Sequence, residues 1–228
     1  CMVVKGEELA GLYAGTPEDA WSAAADLSRQ IHILYTPRAY HTVLSCAPGM
    51  YDDIWTAAKG MYKLEPVIAD EDGRHVFVHA YQSLNHGQAE WVTLDFFDTD
   101  DNDRIVEHWD VIAEYSATTP SGHTSVDGPT AITDLEATGA NKALVRSLVE
   151  DVLMNRGNPG NVDRYISGDR CIQHNKNVAD GLEAFRELAT AEDRPLVYEE
   201  IVLLVGQGNF VATLCRARWE DTPYTQAD

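Results

Sequence analysis

A histidine and an aspartate two residues apart, His108 and Asp110, sit within Arg104-Ile105-Val106-Glu107-His108-Trp109-Asp110-Val111-Ile112. The β-branched and aromatic residues of this run suit a half-buried pleated strand. A strand sends alternate side chains to opposite faces, so Val106, His108 and Asp110 share one face while Glu107, Trp109 and Val111 share the other. Residues two apart are separated by roughly 6.6–7 Å along the backbone, within reach of a single bound molecule. An imidazole beside a carboxyl is the material of acid-base chemistry. A carboxyl facing an apolar cavity holds its proton more tightly, which equips it to move a proton to or from carbon next to a carbonyl. The same run also reads as an edge strand with a polar outer face.

Acidic residues 98–103, with Asn102 among them, read as the turn that leads into this strand. Upstream, residues 62–78 form an apolar run, a turn holding Gly73 and a second apolar run, and residues 198–212 repeat that pattern around Gly208. The parallel extends from residues 91–95 to residues 223–228. Helical segments precede both hairpins. In the first copy, Thr16-Pro17-Glu18-Asp19 supplies a cap, a proline at the first helical position and acids in the first turn. Trp21, Ala24, Leu27, Ile31 and Leu34 then recur at helical spacing. In the second copy, residues 141–154 form a helix with Leu144, Leu148 and Val152 on one face, ended by the Gly- and Pro-rich residues 155–160. Shorter helices are expected over residues 181–190 and, in the first copy, 53–59. Residues 116–130, rich in Ser, Thr, Gly and Pro, read as a linker or an extended arm, which places the boundary near residue 130.

The phrase Ile-Val-Glu-His-Trp-Asp-Val-Ile after a turn resembles the closing strand of SnoaL-like proteins, the polyketide-cyclase branch of the NTF2-like superfamily. The resemblance implies an α+β cone in which a curved, mostly antiparallel sheet and its helices enclose a pocket. It also implies that Asp110 is the acid/base. The segment Gln173-His174-Asn175-Lys176 is similar to the family's Gln-His-Asn-Pro loop, with Lys176 replacing proline. There the resemblance implies that His174 and Asn175 face the pocket from the cone mouth; on residue type alone they are polar loop residues. The first copy has no such run, and His41 is its nearest candidate. Conversely, the second copy stops at Asp228, the counterpart of Asp95, and holds nothing equivalent to residues 96–110. Either the sequence is cut before that strand, or the other copy or another chain supplies it, because an open sheet edge invites pairing.

Composition limits the partners. The 228 residues carry 17 Lys and Arg against 37 Asp and Glu, a formal charge of −20, which repels nucleic-acid phosphates and anionic membranes. No apolar run is long enough to span a bilayer, and the reading is cytoplasmic. Four cysteines, Cys1, Cys46, Cys171 and Cys215, lack CxxC spacing and are expected as reduced thiols. No phosphate loop, GxSxG or zinc spacing is present, and neither metal nor cofactor is called for.

The expected molecule is thus a tandem pair of α+β cone domains, residues 1–130 and 131–228, acting as a homodimer or as an intramolecular pseudo-dimer of the two copies. Asp110 with His108 would be catalytic. His79 and Tyr81, on a neighbouring strand, would orient the carboxylate or hydrogen-bond a substrate oxygen, unless His79 is a core histidine. Trp91, with Tyr62, Phe77 and Phe96, would build core and pocket wall together. The ligand would be a small apolar carbonyl compound. Two functions remain open, a cofactor-independent cyclase or isomerase and a non-catalytic binding or oligomerising module.

Overall fold

The computed structural model describes residues 61–84, 89–101, 104–154, 157–191, 196–220 and 222–228. The helices expected from Thr16 and over residues 53–59, together with His41, Cys1, Cys46 and the Tyr62 side chain, lie outside that description. The chain divides into two compact units, Cys1–Glu114 and Tyr115–Asp228. It is a mixed α+β protein with two antiparallel sheets and a few helices.

In the first unit, β1 (Met61–Ala69), β2 (Val76–Leu84), β3 (Ala89–Thr99) and β4 (Ile105–Glu114) form one sheet in chain order. Gly73, with φ of 74°, turns β1 into β2, and Asp70 N–H donates to His75 O across that turn at 2.9 Å. Ile68, Val78 and Phe96 are almost wholly excluded from solvent, and the Phe77 and Phe96 rings meet at 4.9 Å. The acidic run expected as a turn begins inside β3, which continues through Thr99. Asp98 belongs to β3 and is buried, because the Arg74 guanidinium grips it with Nε to Oδ1 at 3.1 Å and a second nitrogen to Oδ2 at 2.6 Å.

The second unit contains α1 (Thr138–Leu148), which widens into a further turn over Val149–Leu153. α2 (Leu182–Thr190) follows, then β5 (Leu196–Gln207), β6 (Phe210–Trp219) and β7 (Thr222–Ala227). The sheet order β5-β6-β7 repeats that of β1-β2-β3, and the described residues hold no counterpart of β4. α1 starts three residues before the expected position. Thr138 explains this: its hydroxyl donates to Leu135 O at 2.7 Å and accepts from Gly208 N at 2.9 Å. Of the expected face, Val152 is buried and Leu148 packs beside it, but Leu144 is exposed and Val149 is buried in its place. Val149 packs with Tyr198 and Cys215 on the sheet, and Val152 packs with Val162 and Ala189 on the other side. One turn of helix therefore joins two small cores. Burial within the first of them pushes the Cys215 thiol up to about 11, which keeps it unreactive.

The boundary expected near residue 130 falls at Glu114/Tyr115 instead. The arm that follows is tied to the second unit by side chains, with Ser121 Oγ donating to Gln173 O at 2.7 Å. Farther along, Thr133 N–H donates to Asn209 Oδ1 at 2.7 Å, and Asn141 Nδ2 donates to Gly208 O at 2.8 Å. The β5–β6 turn is thus clamped between the arm and α1. Gly208 has φ of 60°, and a Cβ there would collide with the Thr133 carbonyl oxygen. Gly208→Ala is expected to cost about 1–3 kcal/mol in urea unfolding. A loss under about 0.5 kcal/mol, typical of an unconstrained surface site, would show that the clamp is not rigid.

Candidate functional site

Strand pairing decides which side chains meet. Across β3 and β4, Asp95 lies opposite Asp110, Phe97 opposite His108 and Trp91 opposite Glu114. Across β2 and β3, Val78 lies opposite Asp95 and Val76 opposite Phe97. Directly opposed residues point to the same face. Asp110, His108, Asp95, Phe97 and Trp91 therefore share one face of the sheet.

On that face His108 is held twice. Its Nε2 lies 3.0 Å from Asp95 Oδ1, and its ring stacks on Phe97 with centroids 4.3 Å apart and planes 2° from parallel. The two side chains of the His108–Asp95 pair are only 13% and 17% exposed. Asp110 is half-buried beside them. A carboxylate oxygen only accepts, so the His108 nitrogen facing it carries the proton whenever Asp95 is ionised. The cluster is two carboxyl groups and one imidazole with a defined proton position.

Two expected members are elsewhere. His79 pairs with Leu94 and Tyr81 with Val92, positions that project to the opposite face from Asp110. β3 also separates their strand from β4. Orientation of Asp110 by His79 or Tyr81 is thereby corrected: strand parity, not sequence distance, keeps them apart. Tyr81 instead donates its hydroxyl to Glu90, on its own face. Trp91 does share the Asp110 face, one strand over and toward the far end of β4. Asp95 and Phe97 are the members that sequence reading missed. The signal was available in part, as Asp95-Phe96-Phe97 precedes the turn at a distance that a short hairpin folds back onto His108.

His174 and Asn175 lie in the second unit, in the loop before α2, among a different set of groups. His174 Nδ1 is 2.6 Å from Thr124 O and 3.0 Å from Asp127 Oδ1. His123 lies 3.4 Å from Asp127 Oδ2 through Nδ1 and 3.6 Å from Asp180 Oδ2 through Nε2. Asn175 turns inward on its own loop, its Oδ1 accepting from Asn177 N–H at 2.9 Å. Desolvation works to raise the Asp127 carboxyl. The Thr124 N–H at 3.1 Å and the His174 and His123 rings outweigh it, and the group is held below the usual aspartate range.

Among the described residues no set of three or more His, Cys, Asp or Glu is arranged to hold a metal ion, and no helix is long and apolar enough to cross a membrane. No protein-family model matches the chain, and no characterised protein matches it.

Two measurements check this geometry. In ring-nitrogen NMR, neutral His108 is expected to carry its proton on Nε2. Asp95→Ala is expected to remove that preference and cost about 1–2 kcal/mol by stranding a largely buried donor; a wild-type ring protonated on Nδ1 alone contradicts the pairing. For Asp127 the folded value is depressed, so its contribution is complete above the unfolded value of roughly 3.9 and is lost as pH falls through the folded value. Exchange protection of the Thr124 amide should persist at about pH 5 and vanish only on further acidification. Loss already between about pH 5 and 7 would point to another titrating group.

Proposed function

We propose that the first unit binds a small apolar carbonyl compound against the sheet face that carries Asp110, and that the chain is a tandem SnoaL-like protein of two NTF2-like cone domains. In this reading the protein works in the cytoplasm without a cofactor, and its copies pair either with each other or with those of a second chain. The observation that carries the reading is the largely buried His108–Asp95 pair at 3.0 Å on the same face as half-buried Asp110. Asp110, as carboxylate, accepts a proton from carbon next to the carbonyl while the electron pair moves toward the carbonyl oxygen. His108, positioned by Asp95 and by the Phe97 ring, is the polar group nearest that developing charge. Return of the proton to another carbon completes an isomerisation; attack of the enolate carbon on a second carbonyl closes a ring, and that oxygen then takes the proton from Asp110. Trp91 supplies apolar surface on the same face.

A second reading, a binding or oligomerising module without catalysis, is favoured by one observation. Val106 and Ile112 flank His108 and Asp110 on that face of the edge strand and are 57% and 51% exposed. Apolar side chains so placed suit a docked surface as well as a substrate.

The test is titration with small cyclic ketones and aromatic acids, followed by turnover of whichever binds, in wild type and Asp110→Asn. The acid/base reading expects binding to survive the substitution while turnover falls about 10²–10⁴-fold. Unchanged turnover removes Asp110 as the base. Saturable binding with no turnover in the wild type supports the module.

A further inference from the structure

A second centre lies in the second unit, where the arm of residues 115–130 meets the loop before α2. It stands on that unit alone and does not depend on the chemistry proposed for Asp110. His174 Nδ1 faces two oxygens, Thr124 O at 2.6 Å and Asp127 Oδ1 at 3.0 Å. Neither a backbone carbonyl nor a carboxylate can donate, so Nδ1 must carry the proton. In the neutral ring the lone pair then sits on Nε2. Among the described residues Nε2 has no hydrogen-bond partner.

Gly128 packs beside Nε2 with no side chain to cover it, and the His174 side chain is 34% exposed. A Cβ on Gly128 would stand 3.3 Å from His174 Nε2 and 3.4 Å from Cε1, so any side chain there would cover the free nitrogen. The surroundings are braced. Ser121 Oγ donates to Gln173 O at 2.7 Å, and Gln173 N–H donates to Asp180 Oδ1 at 2.7 Å. The His123 ring lies 5.5 Å from that of His174, inclined at 56°.

We infer that His174 Nε2, fixed as a hydrogen-bond acceptor by Asp127 and Thr124 of the arm and left uncovered by Gly128, is a binding site for a neutral ligand with a weakly acidic hydroxyl, a phenol or an enol. The charge of the site selects neutrality. Asp127 and Asp180 repel anions, and Nε2 of a neutral ring accepts from a hydroxyl without needing charge on the ligand. One free acceptor remains, which suits one neutral donor. Asp127 is a positioning residue here, since it acts on the ligand only through the ring.

The experiment uses the full chain with phenol and 4-nitrophenolate as probes, both at about pH 8, where an ordinary imidazole is neutral, with the His174 ring followed by NMR. The wild-type neutral ring is expected to be protonated on Nδ1, a signature that a merely structural aspartate would not set. The ring signals should move on addition of phenol and should not move with 4-nitrophenolate at the same pH. Gly128→Ala should weaken binding at least tenfold while leaving the Nδ1 tautomer in place. Asp127→Ala should weaken the tautomer preference without abolishing it, since Thr124 O still accepts from Nδ1, and Asp127→Asn, which keeps an oxygen acceptor, should restore most of it. A wild-type ring protonated on Nε2 overturns the proposal whatever the variants do. Phenol binding undiminished in Gly128→Ala, or equal binding of phenol and phenolate, overturns it as well.

Discussion

Asp95 and Asp110 face each other across adjacent antiparallel strands, and the first unit is organised around making that pairing tolerable. Like charges directly opposed in a sheet are destabilising. His108 reduces that repulsion by placing an N–H on Asp95, and Phe97 reduces the freedom of the ring that does so. The β2–β3 pairing beneath, with Val78 and Phe96 almost wholly buried, holds the register against that strain. A slip of one residue would set Asp95 against Trp109 or Val111 and send the whole polar group to the other face.

The two units hold an imidazole in opposite senses. In the first, a side-chain carboxylate takes the Nε2 proton of His108 from a neighbouring strand, within a framework fixed by backbone ladders. In the second, the arm takes the Nδ1 proton of His174 through a carbonyl and a carboxylate, and the framework is a set of side-chain bonds between two loops. The repeat therefore conserves strands and their order more closely than it conserves polar chemistry. Among the described residues β4, which carries His108 and Asp110, has no counterpart in the second sheet, where Thr213 and Asp228 exchange backbone hydrogen bonds and Tyr198 donates to the Asp228 carboxyl at 2.9 Å.

Much of this was legible in the sequence because period-two alternation is a local property. The hairpins over residues 62–78 and 198–212, the strand over residues 104–112 and the helix over residues 181–190 follow from apolar spacing and from glycine-bearing turns, and β1, β2, β4, β5, β6 and α2 lie there. The shared face of His108 and Asp110 follows in the same way. Asp95 was not legible, since its meeting with His108 depends on the length of a hairpin and on an irregular step between Asp98 and Thr99. His79 was misplaced for the same reason, because parity within one strand says nothing about parity relative to a strand two positions away. Composition left the Ser- and Thr-rich residues 116–130 as either a linker or an extended arm; the arm form is realised by Ser121 Oγ donating to Gln173 O of another loop and Thr119 Oγ1 donating to His123 O within the arm. Of the face expected for α1, Val152 is buried and Leu148 packs against its core, whereas Leu144 is exposed and the widened turn after Leu148 brings Val149 inward as well.

The most direct test is to cross-link the two carboxylate positions. Opposed residues in an antiparallel pair have Cα atoms about 4.5–5.5 Å apart, within the span of a disulfide. Asp95→Cys combined with Asp110→Cys should therefore close into a disulfide under mild oxidation, located by peptide mapping, whereas Asp95→Cys combined with Val111→Cys should not. A bond between positions 95 and 111 with none between 95 and 110 would place Asp110 on the other face of the sheet, away from His108, and the site would not exist.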